Sequence, residues 1–171
     1  DTEGLLNQAR GTAALDLSLQ QLAEETLKEG MKTRAPDLQA ALVAIDPLTG
    51  DVLAAAGGVD FTKSSYNRAL YAKRQPGSSI KPLIYAAALD KGYTPATLVL
   101  DAPLVYLSRN EAGEEMEWRP QNYGHEFGGP TPLRTALAKS NNMVTIRVLE
   151  EIGVEYAADY ARRLGITSPI A

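Results

Sequence analysis

Seven consecutive apolar residues, Leu83-Ile84-Tyr85-Ala86-Ala87-Ala88-Leu89, follow directly on Pro76-Gly77-Ser78-Ser79-Ile80-Lys81-Pro82. A helix that is apolar all round has no face to offer water, so it must lie at the centre of a fold with other elements packed around it. The spacing predicts a helix from Ser78 to Asp90. Pro82 falls in its first turn, where the missing N–H costs little, and Gly92 is a natural C-terminal stop. A chain of 171 residues is long enough to surround such a helix with a real hydrophobic core.

The flanking sequence supplies candidate partners. The first dozen residues have weak periodicity and read as an irregular lead-in, residues 1–14. Ser18 and Gln21 have capping-box spacing, and Leu19, Leu22, Ala23, Leu27, Gly30 and Met31 share one stripe, predicting a helix from Ser18 to Lys32. Leu38–Ile45 and Asp51–Ala56 flank the turn Asp46-Pro47-Leu48-Thr49-Gly50 and predict a β-hairpin. Both runs are nearly all apolar, which implies strands covered on both faces. Asp60–Gln75 reads as a polar loop with a short helix. Leu98–Leu100 and Leu104–Leu107 are short strand candidates in an otherwise irregular stretch. Thr131-Pro132 reads as a cap followed by a first-turn proline, opening a helix to Ala138. Ser140-Asn141-Asn142 interrupts it, and further helices follow from Met143 to Ile152 and from Glu155 to Gly165.

Composition removes several functions. A net charge of −4 gives no reason to expect nucleic acid, which calls for a clustered basic face. No apolar run approaches the roughly 18 residues of a membrane span, and no signal peptide opens the chain. Without cysteine there is no disulfide framework, thiolate nucleophile or cysteine metal site. The single histidine, His125, would have to carry any histidine-based triad or metal site, and a polar loop explains it better. No cofactor is expected.

The chemistry concentrates in two short motifs. Ser78 and Lys81 stand three residues apart at a helix start, and side chains at i and i+3 share a face with Cβ atoms about 5–6 Å apart. The lysine head is therefore expected to reach the serine oxygen. A serine hydroxyl is a poor nucleophile until a base takes its proton. Lysine is such a base only if its pKa falls from about 10.4 towards neutrality, through burial or a nearby positive potential such as a helix N-terminus. The bare tetrapeptide also fits a capping serine and a solvated lysine. The preceding Pro-Gly break and the following apolar helix favour the buried pair. The second motif is Ser140-Asn141-Asn142. Its serine could relay a proton to a leaving nitrogen, and its asparagine amide could hold the lysine and bind a substrate carbonyl. The same residues would also serve merely to break one helix and cap the next.

With both motifs in view, the chain resembles a known family. SxxK followed about sixty residues later by SxN is the order found in penicillin-binding proteins and serine β-lactamases. The surrounding text is more specific. Ala40-Ala41-Leu42-Val43-Ala44-Ile45-Asp46-Pro47, Gly57-Gly58, Asn67-Arg68-Ala69, Arg74-Gln75-Pro76-Gly77-Ser78-Ser79-Ile80-Lys81-Pro82, Asn122-Tyr123, Gly129-Pro130 and Leu133–Asn142 resemble the transpeptidase domain of class A (bifunctional) penicillin-binding proteins. The resemblance implies an α/β (α+β) fold, a sheet with helices on both faces, present only in part over residues 15–171 and lacking the C-terminal strands. It implies a serine D,D-transpeptidase. Ser78 would attack the D-Ala-D-Ala carbonyl of a peptidoglycan stem peptide, with Lys81 as base and Ser140 and Asn142 in relay and substrate-binding roles. β-Lactam antibiotics would acylate the same serine. Trp118 and Tyr123 fit either the lining of the substrate cleft or satellite packing beside it. By analogy the domain would face the periplasm or exterior, anchored to the membrane in its parent.

Two departures qualify that expectation: the family's third motif, and its N-terminal glycosyltransferase domain with a membrane anchor, neither of which is expected among these residues. No lysine of the chain is followed by Thr-Gly or Ser-Gly, so the family's third motif does not occur among these residues. In the family the oxyanion hole uses the nucleophile's own N–H and one from the strand bearing that motif, and losing one such donor typically costs about 10²–10³ in rate. The polypeptide alone is therefore expected to be inactive unless a second chain carries the remainder. Two other readings stand beside the transpeptidase. A β-lactamase-like hydrolase would need a deacylating base after Asn142. The pattern Glu3-Gly4-Leu5-Leu6-Asn7, which resembles such a base motif, lies before the serine and is read as coincidence. A non-catalytic scaffold module is the third reading, opposed by the intact Ser78, Lys81, Ser140 and Asn142.

Overall fold

A computed structural model describes residues 14–110 and 112–170. The lead-in up to residue 13 and the Glu3–Asn7 pattern lie outside the described residues. The chain divides into two compact units, Asp1–Arg74 and Gln75–Ala171.

In the first unit, α1 (Leu17–Met31) starts one residue before the expected Ser18. Its cap is Asp16, whose carboxylate accepts from the N–H groups of Ser18 (2.8 Å) and Leu19 (3.0 Å). Ser18 is inside the first turn because the acidic side chain at Asp16 satisfies two orphan donors at once. The hairpin forms as expected, but shorter: β1 (Leu42–Ile45) and β2 (Val52–Ala56) pair antiparallel, with a register shift at Ala44/Ile45. Ala54 and Ala56 of β2, with Leu42 and Ala44, pack on Ala23 and Leu27 of α1. The expectation of cover on both faces does not hold among the described residues. Val43 and Ile45 are 46% and 57% exposed, because α1 lies against the alanine face alone.

The start of α1 also closes one side of the sheet. The Asp16 N–H donates to the Leu53 carbonyl (2.9 Å), and Gln20 Oε1 accepts from the Ala55 N–H (2.8 Å). A short helix, α2 (Arg68–Tyr71), is capped by Asn67. Its cap residue comes so close to Gly57 that a Cβ there would stand 2.5 Å from Asn67 Cα, which is why that position has no side chain.

The second unit is built round the apolar helix. A 3₁₀ turn, Gly77–Ile80, leads into α3 (Lys81–Asp90), so the expected single helix from Ser78 has a tighter first turn. Gly77 has φ +55°, a left-handed conformation that favours glycine and lets the chain turn into the 3₁₀ segment. Ile84, Tyr85, Ala87 and Ala88 are buried, while Leu89 is 45% exposed at the helix end. Gly92 stops the helix with φ +94°, and the Tyr93 N–H returns to the Ala88 carbonyl.

β3 (Leu98–Asp101) pairs antiparallel with β6 (Gly129–Pro132), and β4 (Tyr106–Arg109) with β5 (Glu115–Trp118). Thr131 does not cap the helix that follows, contrary to the expectation from Thr131-Pro132. Thr131 is buried in β6 opposite Val99, and Pro132 is the residue before α4 (Leu133–Ala138). Pairing with β3 outweighs the local capping preference, and the first N–H groups of α4 donate instead to the Thr97 and Pro95 carbonyls. α5 (Asn142–Ile152) and α6 (Val154–Arg163) follow. Leu133 and Ala136 of α4, Val144 and Val148 of α5, and Ala157 of α6 enclose α3 in one core.

Candidate active site

The apolar core of the second unit leaves one ammonium inside it. Lys81, the first residue of α3, is only 6% exposed. Its Nζ donates to the Ser140 carbonyl (2.6 Å), to Ser140 Oγ (3.0 Å) and to Asn142 Oδ1 (2.6 Å). An ammonium has three protons, and all three are placed. Burial pushes the Lys81 amine below its ordinary value, as a base at this position requires.

The acceptors are presented by a helix stop with an unusual residue in it. α4 ends with the Asn141 N–H on the Ala136 carbonyl (2.8 Å) and the Ser140 N–H on the Leu137 carbonyl (3.0 Å). That is a Schellman arrangement, whose left-handed position is normally glycine. Here it is Ser140, with φ +51°. The strain of about 1–2 kcal/mol for a residue with a Cβ is retained where the same residue turns both its carbonyl and its hydroxyl onto Lys81. Asn141 then caps α5, its Oδ1 accepting from the Val144 N–H (2.9 Å), and Asn142 opens the helix.

The structure thus brings Lys81, Ser140 and Asn142 together. The expected hydrogen bond from the lysine head to Ser78 is not made. Ser78 is exposed in the 3₁₀ turn, and its link to Lys81 is through the backbone, the Lys81 N–H donating to the Ser78 carbonyl. The reason is donor arithmetic: the three protons of the ammonium already lie on the Ser140 carbonyl oxygen, Ser140 Oγ and Asn142 Oδ1, which leaves none for Ser78 Oγ. Once neutral, the amine exposes a lone pair. The Ser78 N–H, in the first turn of a helical segment, lacks an intrahelical acceptor.

Of the aromatic residues, Trp118 ends β5 and stacks on Tyr106, ring centroids 5.2 Å apart. Tyr123 is fully exposed, one residue after Asn122. Hydrogen bonds to the SxN asparagine come from two residues that the motif reading missed. Gln121 offers its carbonyl to Asn142 Nδ2 (2.7 Å), and Asn122 Oδ1 accepts from the Asn142 N–H (2.9 Å). Asn122 in turn donates to Asp101 Oδ1 (2.8 Å). A signal for Asp101 did exist: in Leu98-Val99-Leu100-Asp101 the carboxylate falls in phase with buried Val99, at a position where a strand would ordinarily carry an apolar residue. His125 lies beside Gln121 in the same loop, with φ +58°, and no group of three or more metal-binding side chains occurs among the described residues. No helix among them is long and apolar enough to cross a membrane.

Comparison with known proteins places this geometry. A family model described as the penicillin binding protein transpeptidase domain matches residues 40–170. Penicillin-binding protein 1A of Pseudomonas aeruginosa is 51% identical over 130 residues, covering 76% of this chain and 16% of that protein. Penicillin-binding protein 1A of Neisseria meningitidis is 41% identical over 173 residues, covering 94% of this chain and 21% of the relative. The chain therefore spans about a fifth or less of the length of these curated relatives. Among solved structures, penicillin-binding protein 1A from Haemophilus influenzae matches with a TM-score of 0.67 at 36% identity, over 74% of this chain and 18% of that one. The PonA1 protein from Mycobacterium tuberculosis, in complex with penicillin V, matches over 100% of this chain and 43% of its own, with a TM-score of 0.78 at 28% identity. The mixed helix and sheet architecture is that of these neighbours.

Proposed function

The chain belongs to the penicillin-binding protein transpeptidase family, and from that premise we propose that it carries the nucleophile half of a serine D,D-transpeptidase site. Residues 15–171 form the N-terminal portion of that domain, and the activity is that of the whole protein. Ser78 Oγ attacks the penultimate D-alanine carbonyl of a peptidoglycan stem peptide while neutral Lys81 takes its proton. The C–N bond to the terminal D-alanine breaks, and the proton returns to the leaving amine through Ser140 Oγ. An amine of a neighbouring stem then attacks the ester; the C–O bond to Ser78 breaks as the amine's proton passes by way of Lys81 to Ser78 Oγ, forming the cross-link and restoring the serine hydroxyl. Asn142 holds Lys81 by its Oδ1 and has one Nδ2 proton to spare for a substrate carbonyl. Trp118 and Tyr123 are the aromatic surfaces proposed to meet the substrate. β-Lactams acylate the same oxygen. The parent protein works on the outer side of the cytoplasmic membrane, where the wall lies, and the strands bearing the third motif come from the rest of that protein or a companion chain.

One observation carries this reading: an ammonium buried to 6% exposure, one turn after an exposed serine, bonded to both polar residues of the SxN motif. A fluorescent penicillin given to the full-length protein should label it stoichiometrically at Ser78, and Ser78→Ala should abolish labelling. Absence of label on the folded full-length protein refutes the proposal, and rapid turnover of a chromogenic cephalosporin would replace it with the hydrolase reading.

A further inference from the structure

The first three N–H groups of α5 all have side-chain acceptors, and two of them share one that comes from twenty residues away. Asn141 Oδ1 takes the Val144 N–H, whereas Asn122 Oδ1 accepts from both Asn142 (2.9 Å) and Met143 (3.4 Å). The amide of Asn122 is fixed in that orientation from its other end. Its Nδ2 donates to Asp101 Oδ1 (2.8 Å) and to the Glu126 carbonyl (2.9 Å), so the oxygen has only the α5 terminus to face. Asp101 is itself buried, 5% exposed, and its second oxygen accepts from the Gly128 N–H (2.8 Å). One buried carboxylate thereby ties both ends of the loop from Gln121 to Gly128 to strand β3.

That loop decides which way Asn142 points. The Gln121 carbonyl accepts from Asn142 Nδ2 (2.7 Å), and a carbonyl can face only the NH₂ end of an amide. The oxygen end is therefore turned to Lys81 Nζ (2.6 Å). The line of bonds runs unbroken from Asp101 through Asn122 and the adjoining Gln121 to Asn142 and Lys81. We infer that Asn122, held by Asp101, is a positioning residue that aims the Asn142 amide at Lys81. The inference rests on the transpeptidase reading of the site and adds two residues, outside both motifs, through which its geometry is set.

The test uses the full-length protein and a labelled penicillin, with rates expressed per titrated site so that misfolded protein drops out. Asn122→Ala releases the α5 terminus and the Gln121 loop together. Misplacing a reacting group by about 1 Å can cost about 10²-fold, so acylation per site should slow by about 10- to 100-fold while the affinity of the preceding complex stays nearly constant. The pH profile supplies a readout that a purely structural role would not move. Asn142 Oδ1 stabilises the charged lysine, so losing it lowers the Lys81 pKa and carries the acid limb of the rate profile to lower pH. Asn122→Asp sets a second carboxylate against Asp101 and should slow acylation likewise, and adding Asp101→Asn should recover part of the rate by restoring a donor between them. A folded Asn122→Ala protein with unchanged rate per site and unchanged acid limb overturns the inference. Should that variant not fold, an Asn122→Asp protein of unaltered rate and profile overturns it equally. If the unaltered protein fails to label at all, the transpeptidase reading has failed first and the inference falls with it.

Discussion

Ser140 performs two tasks that can be separated by substitution. It occupies a left-handed position with φ +51°, and its hydroxyl accepts from Lys81 at 3.0 Å. Ser140→Ala removes the hydroxyl and keeps the Cβ in the strained conformation. Ser140→Gly removes the hydroxyl and the strain together. Both lose one hydrogen bond to a charged donor, a loss of about 1.5–3 kcal/mol, so that contribution cancels in the comparison. Relief of the left-handed conformation favours glycine by about 1–2 kcal/mol. The greater freedom of glycine in the unfolded chain takes back about 0.4–1 kcal/mol. The glycine variant should therefore be the more stable of the two by up to about 1.6 kcal/mol, with a central value of about 0.8 kcal/mol. Chemical denaturation of the two proteins, followed in parallel and compared at equal slope, measures that difference. Acylation by penicillin should fall in both by a similar factor, about 10²–10⁴ if the hydroxyl relays the proton. An alanine variant as stable as the glycine variant, or more so, would refute the claim that the backbone at Ser140 is strained.

Further expectations follow from the same geometry. Lys81→Arg should abolish acylation, since a guanidinium keeps its proton at any working pH; in the unaltered protein the rate should climb with pH through the lowered lysine pKa and level off below 10.5. The sign for stability agrees: the folded state binds fewer protons than the unfolded one between the lowered value and 10.5, so denaturant titrations should show stability rising with pH across that window. Asp16→Ala should cost about 0.5–2 kcal/mol in unfolding measurements by uncapping α1. Gly57→Ala should destabilise by about 1–3 kcal/mol, because its methyl group meets Asn67 at its side chain and also at its Cα, and the backbone atom cannot swing aside.

What could be read from the sequence was what is local. The apolar run after Lys81 identified the central helix, since burial on all sides is written in one continuous stretch. Ser78, Lys81, Ser140 and Asn142 were legible as motif residues, and the structure joins three of them. The hold of Asn142 on the lysine was legible from the motif, whereas the absence of a Lys81–Ser78 side-chain bond was not, because spacing along a helix reports reach but not competition from oxygens that arrive sixty residues later. Thr131 was misread for a similar reason: its capping preference is local, while the ladder to Val99 exists only once β3 is present. The strand alternation marked Asp101 as buried, but nothing local named Asn122 as its partner, because their pairing is made by tertiary folding across twenty-one positions. The hairpin was recognised, but apolar composition overstated its cover, since alanine and valine do not tell which face a helix will take.

The start of α1 has a directional consequence for the small sheet of the first unit. With the Leu53 carbonyl and the Ala55 N–H already bonded by Asp16 and Gln20, the outer margin of β2 has little left to offer another backbone. Opposite it, β1 has no strand beyond it among the described residues, and it displays Val43 and Ile45 to water. Addition of strands to this sheet is thus one-sided. Any extended segment that enlarges it, from the same polypeptide or a foreign one, must arrive alongside β1, and the helix start serves as a terminator on the opposite flank.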